Sequence, residues 1–316
     1  MERLSPEILD EILAHVLHDD GGDESDCGHS RYATVCRYWQ RAVESKTMRS
    51  IDLADEDLDD FVAIFSAKSI PHRRHVLRSL YLETVLPTTS RTPKEHSKNT
   101  TRFREVLSKL FQELASWNVA SGQDRQDSGR REPLQLILQW TTTDPPSLTT
   151  PDELRLPPED TFLGSSSDKD QLDIPVINFV TDLCTKAGYG STPHPSALCH
   201  IVSRMPSLEK LTLELWEPSL GAIDLRRAHR RALVAGVTSF VENNPNLSEL
   251  VMHYKNFPKV FNDSFDSPDF TKQGFDSLSI AVRKLGEAGK LKKLDMVSIL
   301  ITSDLFCDRE ASLSRG

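Results

Sequence analysis

One spacing recurs along the chain. Leu77-Arg-Ser-Leu80-Tyr-Leu82 sets leucines at the first, fourth and sixth places. The same spacing returns at Leu208, Leu211 and Leu213, at Leu247, Leu250 and Met252, and at Leu291, Leu294 and Met296. Residues two apart share one face of a strand, so each unit reads as a short strand with one apolar face. Leu134-Gln-Leu136-Ile-Leu138 reads as a further strand, and Val176 to Val180 as another. Stripes at helical spacing lie between them: Phe103, Leu107, Leu110, Phe111, Leu114 and Trp117; then Ala197, Ile201 and Met205; then Leu233, Val237, Phe240 and Val241. Strands alternating with helices in a recurring unit predict β–α turns stacked along a parallel sheet.

The units are longer and less even than the ~20–29 residues of an ordinary leucine-rich repeat. The expected architecture over residues 75–316 is therefore an irregular α/β arc of leucine-rich-repeat-like form. The alternative is an open α/β domain whose strand starts resemble one another. With the leucines turned to the core, the residues between them share the open side of the sheet. That assigns Tyr81 and Glu83, Gln135, Ile137 and Gln139, Thr212, Glu214 and Trp216, Val251 and His253, and Asp295 and Val297 to one surface. Such a face is the usual binding surface of arc-shaped repeat proteins, and its mix of aromatic and polar groups suits a protein or peptide. Trp216 is the expected anchor; the alternative is that a neighbouring loop covers it.

The first residues follow another rhythm. Ser5-Pro6-Glu7 is a helix start, with Ser as N-cap, Pro at the first helical position and an acid in the first turn. Ile8, Leu9, Ile12, Leu13, Val16 and Leu17 then form a wide apolar stripe. The run from Asp19 to Asp26 breaks it as a loop. A second helix is expected from about Arg31, with Tyr32, Val35, Cys36, Trp39 and Val43 on one face, and a third from Leu58 to Ala67, with Leu58, Phe61, Val62 and Phe65 inward. The chain thus reads as α+β overall, with a small helical domain over 1–68 ahead of the 75–316 arc. Polar, Gly-, Ser- and Pro-rich stretches near 118–132 and 141–173 read as mobile loops.

The formal net charge is −9 and mean hydropathy is −0.41, which argues against a general nucleic-acid binder. No apolar run approaches the ~20 residues that span a bilayer. The start lacks the basic and apolar character of a signal peptide. Five scattered cysteines without a Cys-x-x-Cys pair suit a reducing cytoplasmic or nuclear compartment. Cys36, beside Trp39 on an apolar stripe, is expected to be buried. Arg226-Arg227-Ala228-His229-Arg230-Arg231 is the one basic cluster. A solvated helix face is the plainer account, with an import signal or a site for an acidic partner as alternatives. No metal or cofactor is expected. Cys27-Gly-His29 lacks a second ligand pair, and His72, His75, His194 and His200 lack Cys or acid at ligand spacing. No phosphate loop, nucleophile elbow or His-Glu-x-x-His is present, and nothing points to an enzyme.

Leu4-Ser-Pro6-Glu7-Ile8-Leu9, then Ile12-Leu13, then Val35-Cys36-Arg37-x-Trp39 resembles the F-box over roughly the first 45 residues. Ser5 and the Asp19–Asp26 insertion depart from that family's pattern. The resemblance implies two helices that dock the Skp-type adaptor of a Skp–cullin–F-box ubiquitin ligase. The implied contacts are Leu4, Pro6, Ile8, Leu9, Ile12, Leu13, Val35, Cys36 and Trp39. The remainder is similar, more weakly, to the C-terminal regions of F-box proteins from filamentous fungi. Three stretches carry this: Met205-Pro-Ser-Leu208-Glu-Lys-Leu211 leading to Leu215-Trp216-Glu217-Pro218, Asn256-Phe257, and Ile301-Thr-Ser-Asp304-Leu-Phe306. The expected function is non-catalytic: recruitment of a protein substrate to the ligase, with the cullin scaffold as second partner and no nucleic acid or membrane. A ligase-independent interaction protein with a helical cap is the alternative; an enzyme would need a deep pocket with convergent titratable groups.

Overall fold

A computed structural model describes residues 5–18, 36–66, 72–87, 93–119, 133–142, 172–188, 193–216, 223–255, 277–287 and 291–297. Two helices come first, α1 (Pro6–His18) and α2 (Arg37–Thr47). Ser5 caps α1: its Oγ accepts from the Ile8 amide at 3.4 Å. Then follow β1 (Ser50–Ala54), a 3-10 turn (Asp55–Asp57), α3 (Leu58–Phe65), α4 (His72–Val76), β2 (Ser79–Leu86), α5 (Pro93–Val119), β3 (Leu134–Thr142) and β4 (Val180–Ala187). The chain continues through α6 (Pro195–Ser203), β5 (Lys210–Trp216), α7 (Ile223–Asn243), β6 (Glu249–Lys255), α8 (Ser277–Glu287) and β7 (Lys293–Val297).

Among the described residues, seven strands form one sheet in the order β1-β2-β3-β4-β5-β6-β7, and every neighbouring pair is parallel. The fold is thus a mixture of helices and a parallel sheet, as the alternation predicts. The recurring leucines align across it. One ladder runs Ile51, Leu80, Leu136, Leu183, Leu211, Leu250 and Leu294; the next runs Leu53, Leu82, Leu138, Thr185, Leu213, Met252 and Met296. These side chains, Leu294 and Thr185 aside, pack with the helical stripes in one large core. Phe103, Leu107, Leu110 and Leu114 come from α5, Ala197 and Ile201 from α6, Leu233, Val237 and Phe240 from α7, and Leu278, Val282 and Leu285 from α8. Fully burying one such side chain contributes ~1.5–3 kcal/mol, so the ladders and stripes dominate the stability.

Several expectations are corrected. The Val176–Val180 strand gives way to β4, which starts at Val180; Ile174 and Ile177 are buried just before it without belonging to a strand. β1 was not anticipated, although Met48, Ile51 and Leu53 carry the recurring spacing. The third helix ends at Phe65, not Ala67. The second helix starts at Arg37, and residues 31–35 lie outside the described ones. The join between the helical and sheet-bearing parts falls earlier than 68–75, because Leu53, Leu58, Phe61 and Phe65 belong to the large core. The loops shrink at their ends. Asn118 sits in the last turn of α5, donating to the Val176 carbonyl at 2.7 Å and accepting from the Asn178 amide at 3.2 Å. Thr141 and Thr142 complete β3, and Leu172 is buried. Residues 19–26, 120–132 and 143–171 lie outside the described ones.

Candidate functional site

The sheet has two unlike faces. Along β2 and β3 buried residues alternate with half-buried ones, so one face is sealed by the helices and the other is left partly open. Parallel pairing brings the open-face residues into rows. The first row, at the strand starts, is Ser79, Gln135, Asp182, Lys210, Glu249 and Lys293. Its charges alternate in sign and bond to one another. Ser79 Oγ donates to Gln135 Oε1 at 3.4 Å, Gln135 Nε2 donates to Asp182 Oδ2 at 3.1 Å, and Lys210 Nζ lies 3.3 Å from Glu249 Oε1. Burial pushes the Asp182 carboxyl above the usual range; Lys210 and the Gln135 amide pull it back, and Glu249 adds to the rise.

The second row is Asp52, Tyr81, Ile137, Cys184, Thr212, Val251 and Asp295. It is an uncharged middle with an acid at each end. The third row holds Glu83, Gln139 and Lys186, continued by Glu214 and His253 on β5 and β6. Here the acids are held in place by hydrogen bonds. Glu83 Oε1 accepts from Thr141 Oγ1 at 3.0 Å, and Glu214 Oε2 accepts from the Ala187 amide at 3.2 Å. The Lys186 ammonium leans over the Tyr81 ring, 5.1 Å from its centre. Burial, then the negative charges of Glu83 and Asp52, push the Tyr81 phenol above its usual value.

The structure therefore gathers Tyr81, Glu83, Gln135, Ile137, Gln139, Thr212, Glu214, Val251, His253 and Asp295 on one surface, as the alternation predicts. Trp216 ends β5 and Val297 ends β7, but their side chains lie outside the described ones. Asp52, Asp182, Cys184 and Lys186 join the surface without having been anticipated. The signal for them is the same spacing in weaker residues: Met48, Ile51 and Leu53 leading into and along β1, and Val180, Leu183 and Thr185 along β4.

The second candidate surface is the helix pair. Leu13 and Val43 are fully buried against each other, with Trp39 and Ala42 packed beside them, in a small cluster separate from the large core. Leu13 and Trp39 thus hold α1 on α2. Ile12 is half-buried, and Ile8 (48% exposed) and Tyr38 (38%) face outward. Cys36 is exposed, which corrects the expectation of burial. It is the residue before α2 and has extended backbone, so it stands at the helix end instead of on its inner stripe. Leu4 and Val35 lie outside the described residues, as do the side chains of Pro6 and Leu9.

A charged cluster ties α2 to α4, the short helix just before β2. The buried Glu44 of α2 accepts from Gln40 Nε2 at 2.9 Å and from Arg73 Nη2 at 2.6 Å, and His72 Nε2 lies 2.7 Å from its other oxygen. Burial alone would raise the Glu44 carboxyl; the Arg73 and Gln40 hydrogen bonds and the charges of Arg73 and His72 outweigh it, leaving the group below the usual range. Next along α4, the buried Arg74 donates to the Phe65 carbonyl at 2.5 Å and to Glu113 at 3.2 Å, and lies 5.4 Å from the Trp117 ring centre. The basic cluster of α7 is only partly solvated: Arg231 is exposed, but His229 and Arg230 are buried, which corrects the expected solvent face.

No group of three or more His, Cys, Asp or Glu among the described residues is placed to hold a metal ion. No helix among them is long and apolar enough to cross a membrane. No protein-family model matches the chain, and a comparison with curated proteins also returns no match.

Proposed function

We propose that this chain is the substrate-recruiting adaptor of a Skp–cullin–F-box ubiquitin ligase. In this reading α1 and α2 are an F-box that docks the Skp-type adaptor. The strands and helices after them are an irregular leucine-rich-repeat-like arc whose open face holds a protein substrate. The protein breaks no bond itself. It raises the effective concentration of substrate lysines near a charged ubiquitin-conjugating enzyme, in the cytoplasm or nucleus.

The observation that carries the reading is the separateness of the helix pair. It has its own small core of Leu13 and Val43, and it turns Ile8 and Tyr38 outward. One outward apolar side chain on each helix of a packed pair offers an anchor point for a partner helix. Ile8→Asp combined with Tyr38→Ala changes only exposed positions, so the fold should persist. Truncating an anchor costs ~2–4 kcal/mol of binding, or roughly 30- to 1,000-fold in affinity. Co-purification of a co-expressed Skp-type adaptor and cullin should therefore be lost. Undiminished co-purification with this variant would refute the assignment.

The Glu44 cluster favours a second reading, an interaction protein in which the helix pair is a cap fixed to α4 and no ligase is involved. The unaltered chain separates the two: an interaction protein of this second kind recovers neither adaptor nor cullin.

A further inference from the structure

The open face divides by charge. Its first row is balanced, with Asp182 and Glu249 against Lys210 and Lys293, and these groups neutralise one another. Among the described side chains of the two rows behind it, four acids stand against one lysine. Asp52 and Glu83 lie at the β1–β2 end, Glu214 on β5 and Asp295 on β7, and the lysine is Lys186, already drawn over Tyr81. Between the acids runs the uncharged strip of Ile137, Cys184, Thr212 and Val251. The Tyr81 phenol is pushed up in part by Glu83 and Asp52, a second sign of negative potential at that end. A second copy of this face would meet its own sign of charge, so self-association through it is disfavoured.

We propose that this face takes an extended basic segment of a protein substrate, laid across the strands with its apolar side chains on the strip and its cations at Glu83, Glu214 and Asp295. The assignment presupposes the adaptor role and adds the chemistry of what is recruited. Strands ~4.8 Å apart put β1 and β7 ~29 Å from each other, which an extended chain rising ~3.3 Å per residue crosses in about nine residues. On the same scale Glu83 and Glu214 are ~14 Å apart, and Glu214 and Asp295, two strands and two residues from each other, are ~12 Å apart, so the cations fall about four residues apart in each interval. Phosphorylation inside such a segment weakens its capture, since phosphate brings ~−1.5 to −2 charge to a negative face.

The test is an immobilised array of nonapeptides with Lys, Glu, phosphoserine or Val scanned through each position, probed with the full chain. Binding should favour Lys at two or three positions by about tenfold over Glu, fall with added salt, and fall again with phosphoserine. The triple change Glu83→Gln, Glu214→Gln and Asp295→Asn keeps hydrogen-bond acceptors while removing charge, and should abolish the preference. Asp295→Lys alone should reverse it at one end of the peptide. No preference for Lys, a preference for Glu or phosphoserine, or a Lys preference that survives both variants would overturn the inference. Adaptor co-purification measured on the same preparations separates the two proposals. Retained adaptor without basic-peptide selection sinks the basic-segment assignment alone, whereas loss of the adaptor from the unaltered chain sinks the ligase role.

Discussion

Glu44 shows how much one buried carboxylate can hold. It is 4% exposed and gathers Gln40, Arg73 and His72 around it, so removing it takes the shared acceptor from the half-buried Arg73 guanidinium and His72 imidazole. Losing hydrogen bonds between half-buried charged groups costs ~1.5–3 kcal/mol. Glu44→Ala should therefore lower stability by about that much, read by chemical denaturation. The pH dependence has a definite sign. Because the native carboxyl titrates lower than the free one, its contribution is full above the ordinary value of 4.5 and is lost as pH falls through the lower native value. His229 acts in a higher window. Burial, reinforced by His194 with its ring 4.8 Å away, holds the imidazole down to about 3 from an ordinary 6.5. Below 6.5 the unfolded chain takes up a proton that the folded chain refuses, so stability declines steadily from there to about 3. His229→Phe should flatten that part of a stability–pH curve; an unchanged slope would mean that other groups set it. Neither role was legible in the sequence. Glu44 looks like any surface acid on a helix, and His229 sits in an arginine-rich run that reads as solvated.

Elements were legible where apolar residues repeat in strong form. The stripes of α5, α6 and α7 and the leucine spacing of β2, β5, β6 and β7 are plain in the sequence, because burial on one side demands them. β1 escaped, and β4 is expected too early at Val176–Val180, because their units use Met, Ile, Val and Thr where the others use Leu, and Thr185 sets a hydroxyl at a core position of the ladder. One contact between elements depends on a missing side chain. α7 lies so close to α6 at Gly236 that an added Cβ would overlap the Cys199 side chain. Burial pushes that thiol up to about 12, so it stays neutral. Alanine usually gains up to ~1 kcal/mol over glycine inside a helix, but overpacking costs ~1–3 kcal/mol. Gly236→Ala should therefore destabilise, and adding Cys199→Ala should recover part of the loss in a double-mutant cycle. An additive or neutral result would mean that the helices simply move apart.

At the scale of the molecule, the candidate binding face was largely legible, because strict alternation assigns every second strand residue to it. Its charge pattern was not, since the rows form only when the register of β1 and β4 is known. The join between its two parts was legible only approximately. Phe61, Phe65, Trp117 and Phe179 form a continuous aromatic stack, with ring centres 4.8 Å apart for the first pair, 5.7 Å for the second and 5.9 Å for the third. This stack joins residues before 68 to the body of the sheet. A fragment of residues 48–316 should thus melt cooperatively, whereas a fragment of 75–316 should lose that transition. The check is calorimetry on both, and a cooperative 75–316 fragment would show that β1 and α3 are dispensable.

The strand order has a mechanical consequence. Among the described strands, each is bonded only to the strands that precede and follow it in the chain, so none is held between two strands from elsewhere in the sequence. A force applied through the two ends has no central strand to shear first. It strips the outermost strand, then the next, each step needing only the rupture of one neighbour contact. Held in an optical trap, the molecule should yield as a staircase of modest events, and on relaxation each strand should find its place from a template already standing beside it.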